Sequence, residues 1–361
     1  MCACAGPAAA QSTKLAPDLR AVVAKGGLGS ISVIVETASA PLPTDLTLAS
    51  LLGGLVGQVF TTIPAFSVRL PILAVNTLAG SPSVNHISLD HALRGFWDYD
   101  VQTVGADTAG ATYGVNGGGI GVAVLDSGVQ PCADLGARVI GFYDCVHGFT
   151  SPYDDFGHGT HVAGIVGGSG ASSSPALGCT HTFRGAAPGV NLVSVKVLDN
   201  TGSSTASRVI QGIEWCISHR AQYNLRVLNL SLGHPVAESY HTDPLNLACQ
   251  AAVKAGLVVV CAAGNKGKDS LGRLTYGGIT CPGNDPSIIT VGASNTFGTP
   301  VRSDDGVATY SSRGPTEFDQ LAKPDLVAPG NKIVSLRVPG SQLDSNFPGT
   351  EVPPASYERR A

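Results

Sequence analysis

Ile120-Gly121-Val122-Ala123-Val124-Leu125-Asp126-Ser127-Gly128 is an almost unbroken apolar run that ends on an acid and a Ser-Gly turn. A stretch that is apolar at both odd and even positions reads as a strand covered on both faces. A strand with one wet face would alternate instead. Similar β-branched runs recur at 190–197, 226–230, 257–261 and 288–291. Helical spacing fills the intervals near 158–167, 205–222 and 244–255. Strands that alternate with helices predict an α/β domain, a doubly wound, mostly parallel sheet with helices on both faces. Such sheets hold ligands at the carboxyl ends of their strands, so the chemistry is expected just after each apolar run.

Residues 19–90 read differently, as a small α+β module. Strands are expected at 31–35, 65–70 and 84–89, with helical spacing across 46–60 and a helix start in 71–78. The expected organisation is a tail over 1–18, a module over 19–92, and the α/β domain over 93–361. The join is placed near 90–97.

Composition narrows the function. Of the 361 residues, 43% are hydrophobic and 13% charged, so the chain can bury a large core and is not disordered by composition. A net charge of −4 leaves no basic stripe for nucleic acid. No apolar run reaches the roughly 18 residues of a membrane-spanning helix, and the longest, at 51–60, is broken by Gly and Gln. The chain reads as soluble. Ala8-Ala9-Ala10 before Gln11 resembles the small-residue end of a signal cleavage site, or else an Ala-rich terminus; the basic and apolar regions of a signal are not seen. The nine cysteines match no zinc spacing, and Cys2-Ala3-Cys4 alone is a weak ligand pair. Cys216, Cys249 and Cys261 lie in apolar stretches and read as core thiols. Cys132, Cys145 and Cys179 fall in loops and could pair in an exported protein.

Three clusters carry chemistry. Asp126 ends the first strand; a strand-end Asp alone is more often a turn or cap. His158 stands between Gly157 and Gly159 at the start of a small-residue helix, Asp155-Phe156-Gly157-His158-Gly159-Thr160-His161-Val162-Ala163-Gly164. Its imidazole suits general base work because its ordinary pKa lies near neutrality. His161, three residues on, raises a metal pair, but no Glu lies between them as in a His-Glu-x-x-His site. Asn265 follows the fourth apolar run in Ala262-Ala263-Gly264-Asn265. Between glycines an Asn is commonly a turn residue, yet its NH₂ could also donate to an oxyanion. A dinucleotide site at Gly117-Gly118-Gly119 is disfavoured, because these glycines precede the strand and the fingerprint follows it.

Together, in this order, the clusters resemble the subtilisin-like serine peptidases. Arg184-Gly185-Ala186-Ala187-Pro188, Asn229-Leu230-Ser231-Leu232-Gly233, Ser311-Ser312-Arg313-Gly314-Pro315 and Lys323-Pro324-Asp325-Leu326-Val327-Ala328-Pro329-Gly330 also resemble that family. The resemblance implies that Asp126 orients His158, that His158 is general base then acid, and that Asn265 serves the oxyanion hole. It implies an edge for extended substrate at Ser231, Leu232 and Gly233, and a side-chain pocket at Ala262, Ala263 and Gly264. The module at 19–92 is similar to an inhibitory prodomain. The implied partners are protein or peptide substrates and the chain's own prodomain as inhibitor, with neither nucleic acid nor membrane. A secreted monomer is expected. No cofactor is required; calcium would be structural, though Asp154, Asp155, Asp304 and Asp305 form no recognisable loop.

One family motif is not found. The nucleophile of such enzymes sits in Gly-Thr-Ser-x-Ala at the start of a helix, and none of the 361 residues forms it. Ser335, Ser341, Ser345 and Ser356 have neither the glycine two positions before nor the small-residue helix after. The expectation is a peptidase precursor incomplete at its carboxyl end and inactive as given, with the prodomain still attached. The alternative is a non-catalytic homologue that holds peptides in the same groove.

Overall fold

The computed structural model describes residues 12–60, 63–90 and 100–352. The chain divides into two compact units, Met1–Arg94 and Gly95–Ala361. The expected join at 90–97 falls almost wholly outside the described residues, as do Cys2, Cys4, Ala8-Ala9-Ala10 and Ser356.

The first unit carries helix α1 (Pro17–Lys25), strand β1 (Ser30–Thr37), helix α2 (Pro43–Leu51), strands β2 (Leu55–Val59) and β3 (Ala65–Pro71), helix α3 (Val75–Ala79) and strand β4 (Val84–Leu89). Its strands form one antiparallel sheet in the order β2-β3-β1-β4. Phe66, Val68 and Leu70 of β3 alternate into a core with Val33, Val35, Leu78 and Ile87. Two sequence expectations change here. Leu15, assigned to the tail, is buried in this core, and the Ala16 N–H donates to the Ile87 carbonyl. The helical spacing read across 46–60 stops at Leu51. Gly53, at φ 81°, turns the chain out of the helix, and a Cβ on Gly54 would sit 2.6 Å from the Ala49 carbonyl oxygen.

In the second unit the run that opened the sequence reading is strand β5 (Gly121–Asp126), buried along its whole length. Ahead of it lie α4 (Asp100–Thr103) and α5 (Ala106–Tyr113). After it come β6 (Val139–Asp144), α6 (His158–Gly167), β7 (Asn191–Lys196), α7 (Ala206–His219), β8 (Leu225–Leu230), β9 (His234–Pro235), α8 (Pro244–Lys254) and β10 (Val258–Ala262). The remainder is β11 (Thr280–Cys281), β12 (Ile289–Asn295), β13 (Gly306–Val307), β14 (Leu326–Pro329) and α9 (Gln342–Asn346). The main sheet runs β13-β12-β10-β8-β5-β7-β6, with β14 also on β12. Every pairing in it is parallel except β12 with β13.

The two faces of β5 explain why its sequence is apolar at every position. Ala123 and Leu125 face a core shared with Ile213 and Cys216 of α7 and Leu245 and Cys249 of α8. Val122 and Val124 face the opposite core, with Val162 and Ala163 of α6. The sheet is therefore doubly wound, as its sequence implied. Helix starts are set locally. Thr205 accepts the Arg208 N–H before α7, and Asp243 accepts the Leu245 and Asn246 N–H groups before α8, with Pro244 in the first turn. Cys216, Cys249 and Cys261 are buried core thiols, and Cys132, Cys145 and Cys179 are free rather than paired.

Ile213 is fully buried between α7 and the sheet. Ile213→Ala should lower stability by about 2–5 kcal/mol, read as a shifted denaturant midpoint at unchanged slope. A shift near zero would place α7 off the sheet.

Candidate active site

Three segments leave the carboxyl ends of neighbouring parallel strands. Asp126 ends β5, Ser231 follows β8, and Ala263 follows β10. The strand order reverses around β5, which is where open α/β sheets form a crevice.

Asp126 is fully buried, and its Oδ1 accepts the Ser127 N–H at 2.7 Å. His158, the first residue of α6, brings Nδ1 to 2.8 Å and 2.9 Å from the two Asp126 oxygens. A carboxylate can only accept, so Nδ1 carries the proton. In the neutral ring Nε2 is then the free base, and the side chain as a whole is 36% exposed. Gly157 precedes it at φ 100°, a left-handed turn that a side chain would strain. A Cβ on Gly159 would overlap the Gly128 carbonyl oxygen and stand 3.1 Å from the Asp126 Cβ. The two glycines around His158 therefore allow α6 to start against the end of β5.

Asp154 holds that arrangement, and its part was not read from the sequence. Its Oδ1 accepts the Ser127 hydroxyl at 2.8 Å and the Gly157 N–H at 2.7 Å. Its Oδ2 accepts the N–H and hydroxyl of Thr160 at 2.8 Å and 2.6 Å. Ser127 Oγ in turn accepts the Gly159 N–H at 2.9 Å. Beneath them Lys196, wholly buried at the end of β7, donates to the Ser127 carbonyl and to Asp155, each at 2.6 Å. Two signals were present in the sequence. An Asp just ahead of a glycine-led helix reads as a cap, and a Lys inside an apolar strand needs a buried partner. Asp154 has both oxygens taken, Asp155 is on Lys196, and Asp304 accepts from Thr299.

Burial of the His158 ring disfavours its charge, but the Asp126 hydrogen bond and charge, with the charge of Asp154, outweigh it and raise the pKa above 6.5. His161 goes the other way: burial and the His158 charge lower it, against a hydrogen bond with the Ile333 backbone. The two histidines thus have separate partners, and no three-ligand group among the described residues includes them.

Asn265 is exposed beyond β10. Two strand spacings, about 10 Å, separate β10 from β5 in the sheet. Its segment is anchored on both sides. The Ser312 N–H donates to the Gly264 carbonyl, Ser312 Oγ accepts the Lys266 N–H, and the Thr280 N–H donates to the Ala263 carbonyl. Gly264 has φ 99° and abuts Thr280 and Ser312, so it needs to be glycine. Ala263 is buried, with Ala262 and Gly264 half-buried. Ser231 and Leu232 are half-buried, Gly233 is exposed, and Ser231 Oγ accepts from Asn229 at 3.0 Å. No serine hydroxyl among the described residues hydrogen-bonds His158. Ser335 donates to the His161 carbonyl, and Ser341 caps α9.

The subtilase family model matches residues 117–357. Serine protease AprX of Bacillus subtilis strain 168 is 46% identical over 239 residues, 64% of this chain and 50% of its own length. Subtilisin E of the same organism is 36% identical over 294 residues, 80% of this chain and 67% of its own. An alkaline protease of Alkalihalobacillus alcalophilus is 32% identical over 289 residues, 79% and 65% of the two chains. The chain thus spans about half the length of the first of these relatives.

A histidine with a raised folded pKa contributes stability that is full below its unfolded value and is lost as pH rises through the folded value. NMR titration of the His158 ring should give a midpoint above 6.5. Asp126→Asn should lower it, because burial is then opposed mainly by the charge of Asp154. An unchanged midpoint would disconnect the pair. Gly159→Ala should destabilise the chain by about 1–3 kcal/mol on thermal unfolding, through overpacking against Gly128.

Proposed function

The chain belongs to the subtilase family, and on that premise we propose that the protein it represents is a serine endopeptidase acting on protein and peptide substrates. The observation that carries this reading is the Nδ1 hydrogen bond of His158 to buried Asp126 at the carboxyl edge of β5. It leaves Nε2 as the base. In acyl transfer that nitrogen takes the proton of an attacking hydroxyl and returns it to the leaving amine, while Asp126 stabilises the imidazolium without taking the proton. The Asn265 amide donates to the oxyanion that forms on the carbonyl. Ser231, Leu232 and Gly233 line an extended peptide, and Ala262, Ala263 and Gly264 form the wall of a pocket for the side chain before the scissile bond.

The hydroxyl itself is the serine of Gly-Thr-Ser-x-Ala, which the 361 residues do not contain. On this reading these residues alone hydrolyse nothing. The activity belongs to a chain that also carries the motif. The first unit is its inhibitory prodomain, supported by its position ahead of the family match and its independent core. The enzyme is secreted and acts as a monomer. No helix among the described residues is long and apolar enough to cross a membrane.

A product that carries the motif should hydrolyse casein. In it His158→Ala should lower kcat by roughly 10⁶, and Asn265→Ala by roughly 10²–10³; both magnitudes come from measurements on subtilisin, a relative, and not from this geometry. Tight binding of peptides, without cleavage, by the 361-residue chain itself would support the non-catalytic, groove-binding alternative.

A further inference from the structure

Apart from Asp126 and His158, strands β9 and β11 form a short antiparallel ribbon in which His234 stands opposite Cys281. The start of α8 reaches the same point. Asp243 Oδ1 accepts the Cys281 thiol at 3.3 Å, and Asp243 Oδ2 is 3.9 Å from His234 Nε2. One ligand atom from each of the three lies within 4.8 Å of the other two. Asp243 and Cys281 are buried, while the His234 side chain is 38% exposed, which gives an ion a way in.

The orientation of each group goes beyond proximity. His234 Nδ1 lies 2.8 Å from the Pro235 carbonyl, which can only accept, so the ring proton is on Nδ1. The Nε2 lone pair is then the one that faces Asp243. Metal-binding imidazoles are fixed by this kind of outer hydrogen bond. Asp243 Oδ1 is held by the Leu245 and Asn246 N–H groups, which leaves Oδ2 turned toward His234. The Cys281 sulfur also sits 3.4 Å from Asn246 Oδ1, so the thiol has two oxygen acceptors. Gly233 permits the approach, since a Cβ there would stand 2.7 Å from the Cys281 carbonyl oxygen. The carboxylate also offsets the positive end of α8, which would otherwise repel a cation.

We propose that His234 Nε2, Asp243 Oδ2 and Cys281 Sγ form a site for one zinc-class divalent ion. Nitrogen, oxygen and sulfur from three elements are the donor set of four-coordinate zinc with water in the fourth position. Bonds of about 2.0–2.3 Å at tetrahedral angles put ligand atoms about 3.4–3.6 Å apart. The Nε2–Oδ2 separation of 3.9 Å lies just above that value, and one ligand atom of each residue lies within 4.8 Å of the other two, so a small inward shift closes the site. On binding, the thiol gives its proton to solvent and the thiolate bonds the metal, so charge balances and nothing is oxidised. The sequence reading assigned no metal ligands. The trio has no short spacing, because 46 residues lie between His234 and Cys281 along the chain and only the β9–β11 pairing joins them.

Cobalt(II), then zinc(II), added to the full 361-residue chain tests the site. Cobalt should give a near-ultraviolet thiolate-to-metal band and the strong visible bands of a four-coordinate ion, saturating at about one equivalent and displaced by zinc. Cys281→Ser should abolish the thiolate band and Cys132→Ser should not. His234→Gln should weaken binding by more than the roughly 10–100-fold that loss of an outer-shell partner costs. Because His234 is half-exposed, that variant decides the matter even if Cys281→Ser fails to fold. No binding at one equivalent, or a thiolate band and affinity retained in His234→Gln, would overturn the proposal.

Discussion

Asp154 is the constraint on which the site depends. It makes no contact with a reacting group, yet its four hydrogen bonds join the turn after β5 to the first turn of α6. Both ends of the Asp126–His158 pair are thereby fixed from one buried carboxylate. A hydrogen bond to a charged group contributes about 1.5–3 kcal/mol, and a buried carboxylate stripped of such donors would be strongly destabilising. That network, together with the glycines that let the two segments touch, turns two loops into one rigid edge.

The sheet supplies the second half of the account. Because β5, β8 and β10 are parallel neighbours, their carboxyl ends bring Asp126, Ser231–Gly233 and the Ala262–Asn265 segment onto one edge. Two cores, one on each face, hold the strands in register, so the edge is as rigid as the sheet. Anchoring by Ser312 and Thr280 extends this rigidity to the segment bearing Asn265. Preorganised donors of this kind are worth most where charge develops in a transition state.

Much of this was legible in the chain. Doubly buried strands such as β5 and β10 announce themselves by apolar residues at both parities, and the glycines around His158 signal a close approach. What was missed depended on tertiary context. Strand β6, Val139-Ile140-Gly141-Phe142-Tyr143-Asp144, is mostly half-buried at the sheet edge and carries no clean pattern. The spacing across 46–60 suited a helix until Gly53 and Gly54, whose effect depends on the close approach of Ala49 and Val68. Asp154 looked like any loop carboxylate, because its donors come from residues 27 positions before it and up to six after it. His234, Asp243 and Cys281 are brought together only by a two-residue ribbon and a helix start.

The proposed function assigns the base, its orienting carboxylate and the oxyanion donor to His158, Asp126 and Asn265, and the nucleophile to Gly-Thr-Ser-x-Ala. Labelling with a fluorophosphonate, which phosphonylates only an activated serine, tests it most directly. The account predicts no label on the 361-residue chain, and a single labelled serine in a motif-bearing chain that His158→Ala abolishes. Labelling of the 361-residue chain at any serine, or of the longer chain independently of His158, would contradict it.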